Sequence, residues 1–170
     1  LVESSDLFAR MALGVSSDRK GLIDSLIRKL KADTIWQSLD VFYMLAARDT
    51  SQANQNWISS SYNLIKNNDT IRSLTYEIDR GVNGTGTPTS YLNTQWEAIT
   101  NGVNFKRTNA MIGAYSRSNI QANTVLFGSV QSSNYIQLIP WYSNLFKSPI
   151  NDQDFSGTAS THSLGLFTVM

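Results

Sequence analysis

The sequence contains no cysteine. This absence excludes disulfides and thiolate metal sites, and it leaves the redox compartment open because a chain without thiols tolerates either setting. Charge is also sparse, since charged residues make up 16% of the chain, against about 25% in typical soluble domains. The 14 basic and 13 acidic residues give a net charge of +1 and form no block of one sign. We therefore expect no nucleic-acid partner, which would require a basic stripe along the phosphates.

Long apolar runs are missing as well. The longest, "VFYMLAA" from Val41, is far shorter than the roughly 20 residues of a membrane span, so no membrane insertion is predicted. The first residue is Leu1 and no signal-peptide pattern follows it. We expect the chain to begin inside a longer gene product, and to end inside one because "SLGLFTVM" stops at Met170 without terminal punctuation.

Motifs for nucleophilic catalysis and phosphate binding are absent. His162 is the only histidine, and there is no G-x-S-x-G elbow or H-E-x-x-H zinc motif. A lone histidine beside a strand is more often structural or solvated than catalytic. The glycines Gly81, Gly84 and Gly86 fit neither phosphate-loop pattern, and no amphipathic helix follows them. We interpret them as a turn that joins "LTYEI" to "SYLNT".

Carboxylates give little support for catalysis or metal binding. Glycoside hydrolysis needs two carboxyl groups facing each other, about 5 Å apart in retaining enzymes, and Glu77 and Asp79 are the candidate pair at strand spacing. A structural ion pair between Asp79 and its neighbour Arg80 is the simpler interpretation. Asp152 and Asp154 in "NDQD" offer oxygen ligands but lack the glycine and terminal glutamate of an EF-hand. We predict no catalytic residue, no cofactor and no metal, with a calcium site at these two aspartates as the alternative to a polar turn.

Helical periodicity occupies the first 40 or so residues. Ser5 and Gly14 are predicted to bound a first helix, and Ser17 to cap a second. The second helix carries one apolar stripe, formed by Leu22, Ile23, Leu26, Ile27 and Leu30. A short helical turn follows around Trp36, and another is predicted before Trp57. Between them, the apolar run "VFYMLAA" predicts a buried strand or a short buried segment.

Short apolar runs separated by turn signals fill the chain after Tyr62. They are "LTYEI", "SYLNT", "NAMIGAYSR", "TVLFGSV", "YIQLIPWY" and "SLGLFTVM". This spacing is typical of an all-β sandwich. The sequence therefore predicts a mainly β protein, with an N-terminal helical segment over residues 1–40 and a β-sandwich over residues 41–170.

Several motifs resemble, in the same order, those of bacteriophage structural proteins that carry a concanavalin A-like (laminin G-like) sandwich domain. Asp79-Arg80-Gly81, the glycines after them and "SYLNT" are similar to that family's D-R-G…G-x-G…S-Y-L-[DN]-T. Trp36, Leu39-Asp40 and "YMLAARD" resemble its V-W-x-x-L-D-x-x-Y-x-L-A-A-x-D. Asn56-Trp57 resembles its N-W, and "GAYSRSN" from Gly113 resembles its G-V-W-x-R-T-N.

The resemblance implies a concanavalin A-like jelly-roll sandwich, incomplete at its C-terminal end, because the family domain continues through further strands. It implies a non-enzymatic structural protein on the virion surface, such as a tail fibre, baseplate or capsid-decoration protein. The expected partners are other virion proteins, further copies of the chain in a homo-oligomer, and host-surface glycan.

A carbohydrate-binding module is the alternative function. The chain has four tryptophans, whose rings can stack on sugars, although Trp36 and Trp141 lie in apolar patterns that indicate core positions. Trp96, just past "SYLNT", is the first candidate for glycan binding, together with Tyr91 and Asn93 of that strand. A glycan-degrading enzyme ranks last.

Overall fold

A computed structural model describes residues 1–11, 13–67, 73–84, 89–106, 109–123, 125–131, 134–152 and 157–169. The chain divides into two compact units, Leu1–Asn104 and Phe105–Met170. The described residues are mainly β, with eleven strands in antiparallel sheets and the two longest helices at the N-terminus. This confirms the predicted class at the coarse level. The predicted division into residues 1–40 and 41–170 stays a prediction.

The first unit begins with two helices that pack on each other. They are α1 (Val2–Arg10) and α2 (Ser17–Ala32), followed by a 3₁₀ turn (Trp36–Ser38) and the single-turn helices α3 (Thr50–Ala53) and α4 (Ala98–Asn101). The predicted starts are displaced, because α1 begins before Ser5 and Ser16 is the N-cap residue of α2. Asp24 of α2 joins the pair by accepting a hydrogen bond from Ser4 Oγ of α1 (2.6 Å), and it accepts a second one within α2 from Arg28 Nε (2.8 Å). These bonds hold the pKa of Asp24 well below its usual range.

The core of the first unit lies between these helices and the segment that follows them. Its buried members are Leu7, Met11, Ile23, Ile27, Trp36 and Trp57. The apolar stripe of α2 is narrower than predicted, because Ile23 and Ile27, at i and i+4, are buried while Leu22 is 73% exposed. Leu26 and Leu30 pack against the edge of this core.

The run "VFYMLAA" is not a strand, so the first of the two alternatives predicted for it was wrong. Residues 41–47 are irregular and half-buried for most of their length. The Trp57 N–H donates to Phe42 O at 2.9 Å, and the Asp79 N–H donates to Ala47 O at 2.9 Å. Because these partners come from separate segments, they satisfy individual peptide groups without forming a ladder.

The described part of the first unit also contains four short strands. They are β1 (Ile65–Asn67), β2 (Thr75–Glu77), β3 (Gly81–Asn83) and β4 (Tyr91–Asn93), paired as β1–β4 and β2–β3. The hairpin turn falls earlier than predicted, at Asp79 (φ +59°) and Gly81 (φ +106°). The strand in "LTYEI" therefore pairs with Gly81–Asn83, while the strand in "SYLNT" pairs with β1. Gly86 lies outside the described residues.

The second unit contains the remaining strands. They are β5 (Ile112–Ser116), β6 (Phe127–Gln131), β7 (Asn134–Tyr142), β8 (Leu145–Lys147), β9 (Ile150–Asp152), β10 (Gly157–Ala159) and β11 (Gly165–Val169). One sheet has the order β10-β8-β7-β6, with β9 also paired to β7. The β5–β11 ribbon packs against β7, and the rings of Phe146 and Phe167 are 5.4 Å apart. Buried Leu138 and Ile139 point to opposite faces of β7, which marks it as the central strand.

The core of the first unit predicts a contrast between two positions of α2. Ile27→Ala should lower the free energy of unfolding by about 2–5 kcal/mol, because it leaves a cavity in a packed site. Leu22→Ala, at an exposed position of the same helix, should change it by less than about 0.5 kcal/mol. Urea titration followed by tryptophan fluorescence measures both, since Trp36 and Trp57 lie in this core. Equal losses would show that α2 packs by another face.

Candidate functional site

Asn56 is the centre of a buried polar network and is itself 0% exposed. Its Oδ1 accepts the backbone N–H groups of Phe42 (3.1 Å) and Ile58 (3.2 Å). Its Nδ2 donates to Ser59 Oγ (3.2 Å) and Ser61 O (3.0 Å). An asparagine amide offers two donor and two acceptor positions, so this side chain is fully matched and ties together two irregular segments.

Arg10 connects helix α1 to the same network. Its Nη1 donates to the carbonyl oxygens of Asn56 (2.9 Å) and Ser59 (3.0 Å). Asn63 contributes from the other side, because its Oδ1 accepts the backbone N–H of Asn56 at 2.9 Å. The backbone of Asn56 is therefore bound as tightly as its amide.

Three other polar residues of the motifs also bind backbone. Tyr43 OH donates to Tyr62 O at 2.6 Å, and burial raises the pKa of Tyr43, which keeps the phenol protonated as a donor. Asp40 accepts the backbone N–H groups of Val103 (3.1 Å) and Asn104 (2.9 Å). Asp49 caps α3 by accepting the Gln52 N–H at 3.0 Å.

The pKa of Asp49 agrees with its role as the cap of α3. Burial acts to raise its pKa, but hydrogen bonds from the Ser51 hydroxyl and the Gln52 N–H outweigh it, so the pKa lies below its ordinary value. A lowered pKa suits a helix cap, which must accept hydrogen bonds. The motif residues described so far thus hold the chain in place.

The two carboxylates at strand spacing are each paired with a different arginine. Asp79 forms an ion pair with Arg19 of α2, and Glu77 forms one with Arg80, with 3.3 Å between Oε2 and Nε. The predicted Asp79–Arg80 pair was therefore wrong. The hairpin turn reverses the chain between them, which brings Arg80 beside Glu77, three positions earlier, and leaves Asp79 to reach the helix.

Tyr91 and Asn93 lie on one exposed face of the β1–β4 pair. They are two positions apart in β4 and both are exposed, and their partners across the pair, Asn67 and Ile65, are exposed too. We call these four residues the Tyr91 face. Tyr91 is 48% exposed, and its ring lies opposite the Asn67 side chain. The face carries no charged residue, because Lys66 extends to the other side, with its Nζ 5.9 Å from the centre of the Tyr76 ring.

The amides of this face are held in place by local bonds. Asn93 Oδ1 accepts the Gln95 N–H at 2.8 Å, and Asn67 Nδ2 donates to Thr89 O at 3.0 Å. The remaining amide atoms, Asn93 Nδ2 and Asn67 Oδ1, can serve as a donor and an acceptor for a ligand. An aromatic ring beside fixed amides can stack on a sugar ring and bind its hydroxyls.

Trp96 stands apart from this face. It follows a turn at Gln95 (φ +56°), is half-buried, and donates its backbone N–H to Thr94 Oγ1 at 3.2 Å. The structure thus brings Tyr91 and Asn93 together on one ladder and places Trp96 beyond it. Asn67 was missed in the sequence because "IKN" is too short to show alternation.

The other predicted candidates are dispersed. His162 is exposed, in the turn before β11. Asp154 lies outside the described residues, and Asp152 is the last residue of β9, where only the backbone is described. Among the described residues, no group of three or more His, Cys, Asp or Glu side chains could hold a metal ion. None of the described helices has the length and apolar character to cross a membrane.

Comparisons with known proteins return no relative. No family model, curated protein or solved structure matches the chain significantly.

The Asn56 network predicts a large effect from one isosteric change. Asn56→Asp replaces the donor to Ser61 O by a carboxylate oxygen and should lower the free energy of unfolding by at least about 3 kcal/mol at pH 7. Burial should raise the pKa of the new carboxyl above its unfolded value of about 3.9. The loss should therefore be smaller at pH 4, where the folded state binds a proton, and should grow as pH rises through the folded-state pKa.

Asn93→Asp is the matched control, because the residue is exposed and the new carboxylate keeps the acceptor for Gln95. Urea unfolding of both variants at the two pH values decides the matter. A similar, small loss in both variants would mean that the Asn56 amide does not hold the fold.

Proposed function

We propose that this chain is a non-enzymatic structural protein of a bacteriophage particle, belonging to a tail fibre, baseplate or capsid decoration on the virion surface. Its β-rich part would be the front part of a concanavalin A-like jelly roll. The proposal starts from the ordered motifs "WQSLDVFYMLAARD", "NW", "DRG" and "SYLNT". The antiparallel, mainly β structure is compatible with it.

The use of the motif residues is the observation that carries the proposal. Asp40, Tyr43, Asp49 and Asn56 all direct hydrogen bonds at backbone groups. A side chain that is hydrogen-bonded to backbone is poorly placed to act as a general acid or base on a substrate. Motif residues that bind backbone indicate a structural role, which suits a protein present in many copies in one particle.

The two candidate glycosidase carboxylates support the same conclusion. Glu77 and Asp79 each form an ion pair with a separate arginine. In a glycosidase one of the two must act as an acid, and it is kept protonated by an apolar environment or a neighbouring carboxylate. Each of these two carboxylates has a guanidinium beside it instead, and neither has the other as its partner.

An exposed apolar pair in the second unit supports assembly with other chains. Tyr115 of β5 and Leu166 of β11 are directly opposite each other and are 69% and 70% exposed. Large apolar side chains that adjoin on a surface are favourable when a neighbouring chain covers them. In a particle with many copies, weak contacts of this kind add up through multivalency.

Purified particles provide the test. Phage particles from the source culture are banded on a density gradient, and the proteins are identified by mass spectrometry and by gold-labelled antibody against this chain. We expect peptides of the chain in the particle band, at a constant ratio to the other virion proteins, and label at one fixed position. Peptides found only in the soluble fraction of the lysate would refute the proposal.

A carbohydrate-binding module for bacterial surface glycan is the second candidate. The Tyr91 face favours it, since an exposed ring lies opposite one fixed amide and two positions from another. Because the four residues of the face are uncharged, the ligand would be a neutral hexose rather than an acidic sugar. This function is compatible with a place on the virion surface.

The Tyr91 face predicts a selective loss of sugar binding. Tyr91→Ala should weaken binding of a neutral host polysaccharide about tenfold or more, because the stacking surface is removed. Tyr115→Ala, which removes a more exposed ring from the second unit (69% exposed, against 48% for Tyr91), should leave the affinity unchanged. Isothermal titration with polysaccharide extracted from the host envelope measures both.

Trp96→Ala tests whether the sugar binds at Trp96 or at the Tyr91 face, the two parts of the predicted site. If binding depends on the Tyr91 face, this variant should retain most of its affinity. A loss with Trp96→Ala but not with Tyr91→Ala would place the site beyond the turn at Gln95, and no binding by the unmodified chain would eliminate this candidate.

A further inference from the structure

The chain contains two asparagine–glycine pairs, Asn83-Gly84 at the end of strand β3 and Asn101-Gly102 at the end of helix α4. This dipeptide is especially prone to spontaneous deamidation, because glycine has no side chain to keep its peptide nitrogen away from the asparagine amide. Each asparagine also follows a β-branched residue, Val82 or Thr100. The local sequences are therefore similar, and a difference in reactivity has to come from the fold.

The reaction joins the glycine nitrogen to the side chain of the asparagine. That nitrogen loses its proton to solvent base and attacks Cγ, and the bond from Cγ to Nδ2 breaks as ammonia leaves with a proton from water. Water then opens the resulting succinimide ring at either carbonyl group, which gives aspartate or isoaspartate. The asparagine ψ angle must rotate to bring the two atoms together, so hydrogen bonds that fix the glycine N–H or the amide slow the reaction.

Asn101 is held against this rotation by the fold. The Gly102 N–H, which carries the attacking nitrogen, donates to Ala98 O at 3.2 Å. The Asn101 amide is turned towards the start of α4, since its Oδ1 accepts the Glu97 N–H at 2.8 Å. Asp40 binds the two peptide N–H groups that follow Gly102. Reaction at Asn101 therefore requires α4 and the segment after it to open.

Asn83 is in a more permissive place. It is the last residue of β3, so Gly84 lies outside the β2–β3 ladder. Gly84 is exposed, and a Cβ placed on it would meet no atom within 4 Å. The amide is restrained by Glu77, because Asn83 Nδ2 donates to Glu77 Oε1. Rotation at Asn83 has to break this side-chain bond, but it does not have to open a helical turn.

We propose that Asn83 is a site of spontaneous deamidation, and that the fold protects Asn101 from the same reaction. The product is aspartate or isoaspartate at the end of β3. This inference is independent of the proposed virion role, because it rests only on the two local structures.

The modification weakens the β2–β3 ladder in either form. Aspartate at position 83 places a second carboxylate beside Glu77, where the Nδ2 donor was, and like charges repel each other. Isoaspartate lengthens the backbone by one methylene at the residue that pairs with Thr75. The turn of this hairpin carries Asp79, whose ion pair with Arg19 joins it to α2.

The test follows both sites in the same sample of the intact chain. The folded chain is incubated at mildly alkaline pH, and peptides are mapped by mass spectrometry at intervals. We expect Asn83 to deamidate at least about tenfold faster than Asn101. In urea the two sites should react at similar rates, because the fold no longer distinguishes them. Equal rates in the folded chain, faster reaction at Asn101, or no reaction at Asn83 would overturn the proposal.

Gly84→Ala and Gly102→Ala are matched variants for the chemistry. Gly84→Ala should slow deamidation of Asn83 about tenfold or more, because the added methyl group hinders attack by the peptide nitrogen. The new side chain fits the fold, since its Cβ has open space and the φ angle lies outside the left-handed range. Gly102→Ala should leave the rate at Asn83 unchanged. An unchanged rate in Gly84→Ala would show that Asn83 is lost by another reaction.

Asn83→Asp tests the effect on the ladder. Amide hydrogen exchange in the β2–β3 hairpin, measured by mass spectrometry, should become at least about threefold faster. Asn93→Asp adds the same charge to β4 and should leave exchange in this hairpin unchanged. Equal exchange in the two variants would refute the weakening of the ladder, while the rates at Asn83 and Asn101 test the modification itself.

Discussion

The first unit depends on the hydrogen bonds that one buried side-chain amide, that of Asn56, makes to backbone outside any helix or strand. Residues 40–63 contain little helix and no strand, yet part of this segment is buried. Its peptide groups must be paired to avoid a large desolvation penalty. Asn56 supplies two acceptor and two donor bonds at once, and its neighbour Trp57 packs edge-to-face on Phe42 with ring centres 5.4 Å apart. The hydrogen bonds of Asn56 and the packing of Trp57 on Phe42 therefore hold the same two segments together.

This constraint gives the polar residues of the sequence motifs a physical meaning. The polar residues in the motifs are those that irregular backbone requires, so the pattern describes how a scaffold is held together. Such residues say little about a ligand, because most of their polar atoms already bind backbone, and Asp49 Oδ2 is the buried exception. Any binding function has to use groups that the scaffold leaves exposed, such as the Tyr91 ring.

Sequence patterns predicted the elements that are long enough to be periodic. Helix α2 and strands β5, β6, β7 and β11 fall where periodicity placed them. The strand predicted from Val41 was wrong because an apolar run alone does not distinguish a strand from an irregular buried segment. The three-residue strands β1 and β3 were missed, since alternation cannot appear over so few positions. For the same reason Tyr91 and Asn93 were predicted from residue type, whereas Asn67, which lies opposite Tyr91, was found only through the strand pairing.

Two side chains that are close in sequence show that burial alone does not identify the groups that hold the fold. Asn56 pairs every polar atom of its amide, whereas Gln52, equally buried, pairs its nitrogen and leaves Oε1 without a partner among the described residues. The amide of Asn56 joins two irregular segments, whereas the amide of Gln52 reaches only Gly14 O. The hydrogen-bond partners of a buried polar side chain, rather than its burial, therefore indicate its part in the scaffold.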